Sequence, residues 1–264
     1  MKVLQILPQL NIGGVERGTL DLSKALIHKG HQSFVISGGG ILVDELTQSG
    51  AKHYEIPVHI KSLRTLSLAK RLSETISSID PDIVHVRSRM PACVNYRAFK
   101  MLQKKPLLVS TFHGLYSFPI YSKVMSFVDH SIAISKTVER YILENYKLDK
   151  GDITVIPRGC DPLEFNNEVI NPVDKANIIE EFPQIVGKKV LTIPGRITKW
   201  KGVAEFIDLL SLLDDNYHGL IVGPTAKSKK KYLNKLQYKV SSLNLEDKIT
   251  FTGSRRDIAN IYKI

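Results

Sequence analysis

The sequence predicts an α/β protein of two doubly wound, mostly parallel-sheet domains, the second of them incomplete. Three observations predict this. Short apolar runs alternate with helical patterns along the whole chain. The connections between them are short, as βα and αβ units require. The alternation pauses once, at residues 161–173, where two prolines and three asparagines interrupt any periodicity and mark a linker.

The elements follow in order. Residues 2–7 read as a strand. Residues 15–29 read as a helix whose apolar stripe is Leu20, Leu22, Ala25, Leu26 and Ile27. Strands are expected at 32–37, 52–58, 82–86, 107–112, 131–134 and 153–156. Helices are expected between them at 41–48, 66–78, 91–102, 120–128 and 136–146. These make the first domain, residues 1–165. A helix at 174–182 then precedes strands at 189–193, 219–222 and 249–251, with helices at 203–213 and 227–243 and another beginning at 257. Three strands are few for a doubly wound sheet. The second domain, residues 166–264, therefore reads as unfinished.

Composition narrows the function. The chain has 264 residues, 43% hydrophobic and 24% charged, which excludes a disordered polymer. No apolar run approaches the ~20 residues of a membrane-spanning helix. The first residues lack the basic region and cleavage site of a secretion leader. Cys93 and Cys160 fit no metal-ligand spacing and read as reduced core thiols, so a cytoplasmic location is expected. Thirty-seven Lys and Arg against 26 Asp and Glu leave a net charge of +11. That surplus attracts nucleic acid, an anionic membrane or phosphorylated small molecules.

Ligands of open parallel sheets bind beyond the carboxyl ends of the strands. After the first strand come Gly13 and Gly14, which serve either as a plain turn or as the close backbone approach to an anion at a helix N-terminus. Neither the G-x-G-x-x-G nor the Walker A spacing is present. His113 ends the strand at 107–112 and is followed by Gly114, a place for a ligand contact or for a structural imidazole. His85 reads as a core residue behind it, and His28, His53 and His218 as surface or edge residues. The Gly and Pro of residues 156–161 need only turn chemistry, and Gly38 to Gly40 only a loop. The strongest chemistry follows the strand at 189–193. Arg196 and Lys201 flank a loop leading into a helix, and two fixed cations there suit a diphosphate. Lys227, Lys229, Lys230 and Lys231 read as a solvated face.

These pieces together resemble the retaining glycosyltransferases of the GT-B fold, family 4. Gly13-Gly14-Val15-Glu16 is similar to the glycine pair that opens the family's N-terminal domain. Ser110-Thr111-Phe112-His113-Gly114 is similar to its Thr-x-His strand end, and Ile134-Ser135-Lys136 to its serine after a strand. Ile156-Pro157-Arg158-Gly159-Cys160-Asp161 with Phe165 resembles its Ile-Pro-Asn-Gly-Val-Asp…Phe junction. Gly195-Arg196…Lys201-Gly202 resembles its phosphate loop, and Phe251-x-Gly253 its later strand end.

The resemblance implies two Rossmann-like domains facing across a substrate cleft. It implies sugar transfer from a nucleotide-sugar donor, with retention at the anomeric carbon, to a lipid-linked or envelope-glycan acceptor. Gly13 and Gly14 would approach the donor diphosphate and sugar, and His113 would contact the transferring sugar. Arg196 and Lys201 would neutralise the leaving diphosphate, so no metal and no cofactor are expected. Two departures stand out. Arg158 replaces the family's Asn. The family's Glu-x7-Glu motif, which holds donor sugar and ribose, is absent: no Glu here is followed by another eight positions later. A shortened second domain with little or no activity is therefore expected, and a non-catalytic nucleotide- or glycan-binding partner subunit is the competing expectation. Residues 60–72 alternate Lys61, Arg64, Lys70 and Arg71 with leucines. They form either an ordinary surface helix or an interfacial face touching the inner side of an anionic membrane. No nucleic-acid motif accompanies the positive charge, so nucleic acid is not expected as a partner.

Overall fold

The computed structural model describes residues 1–60, 67–116, 119–166 and 168–264. Two compact units divide the chain, Met1–Gly159 and Cys160–Ile264. The sequence reading places this division at residue 165, inside the linker.

In unit 1, β1 (Lys2–Ile6), β2 (Gln32–Ser37), β3 (Lys52–Glu55), β4 (Ile83–Val86), β5 (Leu107–Phe112), β6 (His130–Ala133) and β7 (Ile153–Val155) form a seven-stranded sheet. Its order is β3-β2-β1-β4-β5-β6-β7, and every pairing is parallel. The order reverses between β1 and β4, which opens a crevice at their carboxyl ends.

Both faces of the sheet are covered. Leu20 of α1 (Gly14–His28) and Leu46 of α2 (Val43–Gln48) bury against Leu7 and Val35 on one side. On the other side α3 (Ala69–Ile79) and α4 (Arg89–Phe99) pack against Leu4, Ile6, Phe34, Ile36, Val84 and Val86. A one-turn α5 (Pro119–Ser122) precedes α6 (Lys136–Asn145), which completes that side. Strand side chains alternate between the two layers, so Leu4 and Ile6 face one core while Gln5 faces α1.

In unit 2, α7 (Pro172–Glu181), β8 (Lys189–Pro194), α8 (Val203–Leu212), β9 (Tyr217–Val222), α9 (Lys230–Ser242), β10 (Ile249–Gly253) and α10 (Ile258–Ile261) follow in turn. The strands form a parallel sheet of order β10-β9-β8. Ile221 packs with Ile207, Leu210 and Leu236 on one face, and Leu220 and Val222 with Ile178 and Ile261 on the other. Asn171 caps α7 by accepting a 2.8 Å bond from Val173 N–H, with Pro172 at the first helical position.

Some expectations shift. The strand expected over 52–58 stops at Glu55, because Pro57 brings no N–H to the ladder. The helix expected over 120–128 is α5 followed by a 3₁₀ turn, Lys123–Ser126. His218 is not an edge residue. It lies on the central strand β9, 1% exposed, with Nε2 2.9 Å from Thr250 Oγ1. Cys160 is exposed rather than a core thiol, and Cys93 is half-buried. Within 60–72, Lys61 and Arg64 lie outside the described residues. Leu72 is buried in unit 1's own core and Leu68 packs against it. No helix among the described residues is long and apolar enough to cross a membrane.

Candidate active site

At the β1/β4 crevice, the chain leaves β1 and reaches Gly13, the residue before α1. The loop is held by Gly39, whose carbonyl accepts a 2.8 Å bond from Leu10 N–H, so the Gly38 to Gly40 run seats the approach to α1. No side chain caps α1, and its first backbone bond runs from Arg17 N–H to Gly13 O. The N–H groups of Gly14, Val15 and Glu16 thus remain without an acceptor among the described residues. They carry the positive end of the helix dipole.

Beside them lies Arg158, from the loop after β7. Its Nη1 donates to the Gly14 carbonyl, and its Nη2 lies 2.9 Å from His113 Nδ1. A side chain on Gly14 would meet this guanidinium at 2.8 Å, which explains the glycine. Arginine can only donate, so His113 Nδ1 is the acceptor and the ring proton sits on Nε2. Nε2 is buried and has no partner among the described residues. Burial first, and then the charges of Arg87 and Arg158, push the His113 pKa down to about 3. His113 is therefore a neutral imidazole with one unsatisfied N–H donor at a strand end.

Arg87, immediately after β4, completes the cluster. It is 6% exposed, and its Nη1 donates to Gln5 Oε1 at 2.7 Å. Gln5 in turn donates to Thr19 O and Ser23 Oγ under α1. Behind His113, His85 is buried, as expected, with Nε2 2.7 Å from Thr111 Oγ1. Burial, Arg87 and His113 all hold its pKa well below the usual value. Sequence reasoning missed Arg87 and Arg158. Arg158 stood in view as a departure from the family pattern, and Arg87 as the residue that follows a strand at the reversal point of the sheet.

In unit 2 the carboxyl ends of the three strands are a row of glycines. Gly195 N–H donates to Val222 O, and Gly223 N–H to Gly253 O, both at 2.8 Å. Gly223 has φ 155°, and a Cβ there would stand 1.9 Å from Gly195 O, so only glycine lets the two strand ends touch. Arg196 and Lys201 extend from this edge and are exposed. Neither cationic group has a hydrogen bond or ion pair among the described residues. The Lys201 stem lies along Gly195, its Cδ 3.6 Å from where a Cβ would be. Gly202, at φ 75°, turns the chain into α8. The residues of the expected phosphate loop are thus brought together around Gly195, while Gly13, Gly14 and His113 are brought together by Arg158. Ser135 caps α6 by accepting from Val138 N–H at 3.2 Å, the structural reason for a serine after that strand. Among the described residues no cluster of three His, Cys, Asp or Glu side chains is placed to hold a metal. A cavity of about 520 Å³ lined by Ser73, Ile76, Met101 and Lys104 lies at the amino ends of β4 and β5, away from these groups.

Two parallel sheets with loop-borne glycines and cations at their carboxyl ends define a Rossmann-like α/β class of ligand-binding protein. The family model described as Glycosyltransferase Family 4 matches residues 12–163, and that described as Glycosyl transferases group 1 matches residues 174–264. The chain belongs to this family of GT-B glycosyltransferases. It is similar to a solved glycosyltransferase from Rickettsia africae, with 33% identity and a TM-score of 0.84, covering 100% of this chain and 70% of that one. It shares its fold with the Anabaena protein HepE, solved with UDP and glucose, at 19% identity and a TM-score of 0.84, covering 100% of this chain and 72% of that one. An uncharacterized glycosyltransferase of Methanocaldococcus jannaschii is 30% identical over 175 residues, 58% of this chain and 43% of that protein. The chain thus spans less than half the length of the curated relatives it matches.

Proposed function

We propose that the protein belongs to an enzyme that transfers a sugar from a nucleotide-sugar donor to an acceptor hydroxyl, with retention at the anomeric carbon. The observation that carries this reading is the loop at the end of β8, where Arg196 and Lys201, both exposed and without a hydrogen-bond or ion-pair partner among the described residues, follow Gly195, with the Lys201 stem along Gly195 and Gly195 in tight contact with Gly223. As the bond between anomeric carbon and diphosphate breaks, the electron pair leaves with the phosphate. A guanidinium and an ammonium, with no other partner to satisfy, stabilise that growing charge. The same two cations give the reaction a protein-borne counter-charge, so the reading needs no metal.

Unit 2 is the nucleotide-sugar side and unit 1 the acceptor side. His113 offers its unsatisfied Nε2–H to a hydroxyl of the transferring sugar. Gly13 and Gly14 let the backbone N–H groups of α1 approach it. The UDP and glucose bound by the Anabaena neighbour support a nucleotide sugar as donor. A lipid-linked or envelope-glycan acceptor, reached on the inner face of a membrane, fits the net charge of +11. Isothermal titration of the chain with UDP, GDP and ADP tests the donor clause. One nucleotide is expected to bind, and Arg196→Ala with Lys201→Ala to abolish binding. Co-sedimentation with anionic vesicles at low salt tests the membrane clause, and no pelleting removes it.

A further inference from the structure

We propose that the outer face of α4, with the α5 turn packed on it, is the surface by which unit 1 docks on an anionic lipid bilayer. The inference rests on the membrane clause of the transferase reading and deepens it by naming the surface. It moves that surface away from residues 60–72, where Leu68 and Leu72 serve unit 1's own core.

The face is built from aromatic rings that each carry a cation. Tyr96 of α4 and Phe127, just after the 3₁₀ turn, have ring centroids 5.2 Å apart. Lys100 Nζ stands 4.4 Å from the centre of the Tyr96 ring, and Lys123 Nζ 6.0 Å from that of Phe127. The Tyr121 hydroxyl of α5 donates to Met90 Sδ at 3.2 Å, and the Arg89 guanidinium lies 5.4 Å from the Tyr121 ring. Residues 89, 96 and 100 share one stripe of α4 by helical spacing, so these contacts make one continuous surface. Tyr96, Tyr121 and Phe127 are exposed, and Ile120 beside them is 93% exposed. An exposed apolar cluster of this kind marks an interaction surface.

Charge selects the occupant. Among the described residues, Arg89, Lys100 and Lys123 have no carboxylate within ion-pair distance. Asp129, two residues after Phe127, is engaged elsewhere, its Oδ2 accepting from Leu108 N–H. Two copies meeting by this face would set cations against cations across the two-fold axis. Nucleic-acid bases stack on open aromatic faces, and here the rings already hold the protein's own cations. A bilayer suits both halves of the surface. Tyrosine and phenylalanine sit at the headgroup level, Ile120 reaches the acyl boundary, and the lysine and arginine heads meet lipid phosphates while their stems lie along the rings.

The face also begins at the site. Arg89 opens α4 directly after β4, and its guanidinium lies 4.8 Å from the ring of Tyr116, three residues after His113. A bilayer on this face lies next to the carboxyl end of unit 1's sheet, where a lipid-borne acceptor would present its sugar.

Flotation of the full chain with vesicles of phosphatidylglycerol and phosphatidylcholine, and of phosphatidylcholine alone, tests the proposal. Wild type is expected to bind the anionic vesicles and to bind the neutral ones much more weakly. Lys100→Gln/Lys123→Gln is expected to weaken binding about thirtyfold, and Ile120→Ser about tenfold with the salt dependence kept. Lys230→Gln/Lys231→Gln removes the same charge from unit 2 and is expected to weaken it less than about threefold. Circular dichroism melting verifies the fold of each variant. Titration of the same proteins with UDP reads the donor site, which these substitutions leave alone. UDP binding without vesicle binding overturns the docking surface and leaves the donor reading in place. Vesicle binding without UDP binding does the reverse. Vesicle binding that Lys230→Gln/Lys231→Gln weakens as much as Lys100→Gln/Lys123→Gln is a uniform charge effect and overturns the surface. So does a dimer broken by Ile120→Ser, or binding of an RNA oligonucleotide lost in Lys100→Gln/Lys123→Gln, where vesicles do not bind.

Discussion

Arg158 Nη2 and His113 Nδ1 stand 2.9 Å apart, joining the loop after β7 to the end of β5. This contact fixes the tautomer of the imidazole and aims its remaining proton away from the guanidinium, while burial first, and then the charges of Arg87 and Arg158, keep the ring neutral. The arginine is therefore more than a replacement for asparagine in a turn.

The neutral state of His113 has a pH consequence. Its folded pKa, about 3, lies below its unfolded value near 6.5. The unfolded chain therefore takes up protons first. Stability from this group is full above about pH 6.5 and falls as pH drops from there toward 3. The buried His85 acts with the same sign. Nitrogen-15 NMR of the imidazoles is expected to show His113 protonated on Nε2 alone down to pH 5. A protonated ring at pH 6 contradicts the geometry.

Gln5 holds a buried charge. Gln5→Leu removes the Oε1 acceptor of Arg87 Nη1 and leaves a guanidinium buried with still fewer partners. A loss of about 2 kcal/mol or more is expected in urea unfolding. A neutral result means that Arg87 finds water or another acceptor.

Gly223→Ala attacks unit 2 at its strand ends. The new Cβ meets the carbonyl of Gly195, and φ 155° is a conformation that alanine rarely adopts. The substitution is expected to lower the melting midpoint and to weaken nucleotide binding by displacing the loop that carries Arg196. Unchanged binding with an unchanged midpoint separates the strand-end contact from the loop's role.

Arg255 ties the end of β10 to α7. It contacts Glu181 and lies 2.7 Å from Asp257. These carboxylates raise its pKa. Because Glu181 is about half exposed, Arg255→Ala is expected to cost only about 1 kcal/mol, read from the unfolding midpoint at low salt and shrinking at high salt.

The alternating pattern was enough to read the parallel sheets and to place Gly13, His113, Arg196 and Lys201 at strand ends, because apolar periodicity and glycine turns are local signals. What it hid were contacts between distant segments. Arg158 reads as a turn residue until folding carries it to Gly14 and His113, 144 and 45 positions away. Arg87 reads as a polar stop to a strand until Gln5 and α1 close over it. His218 was misplaced because a polar residue looks solvent-facing unless its partner, Thr250 on the adjoining strand, is known. Pro57 explains the early end of β3 once the ladder is seen.

Differential scanning fluorimetry with UDP, GDP, ADP and their sugars tests most directly whether the Gly195–Gly202 loop is a diphosphate grip. One nucleotide and its sugar are expected to raise the midpoint by mass action, and Arg196→Ala/Lys201→Ala to erase the rise while leaving the unliganded midpoint in place. A rise that persists without both cations, or no rise with any nucleotide, contradicts it.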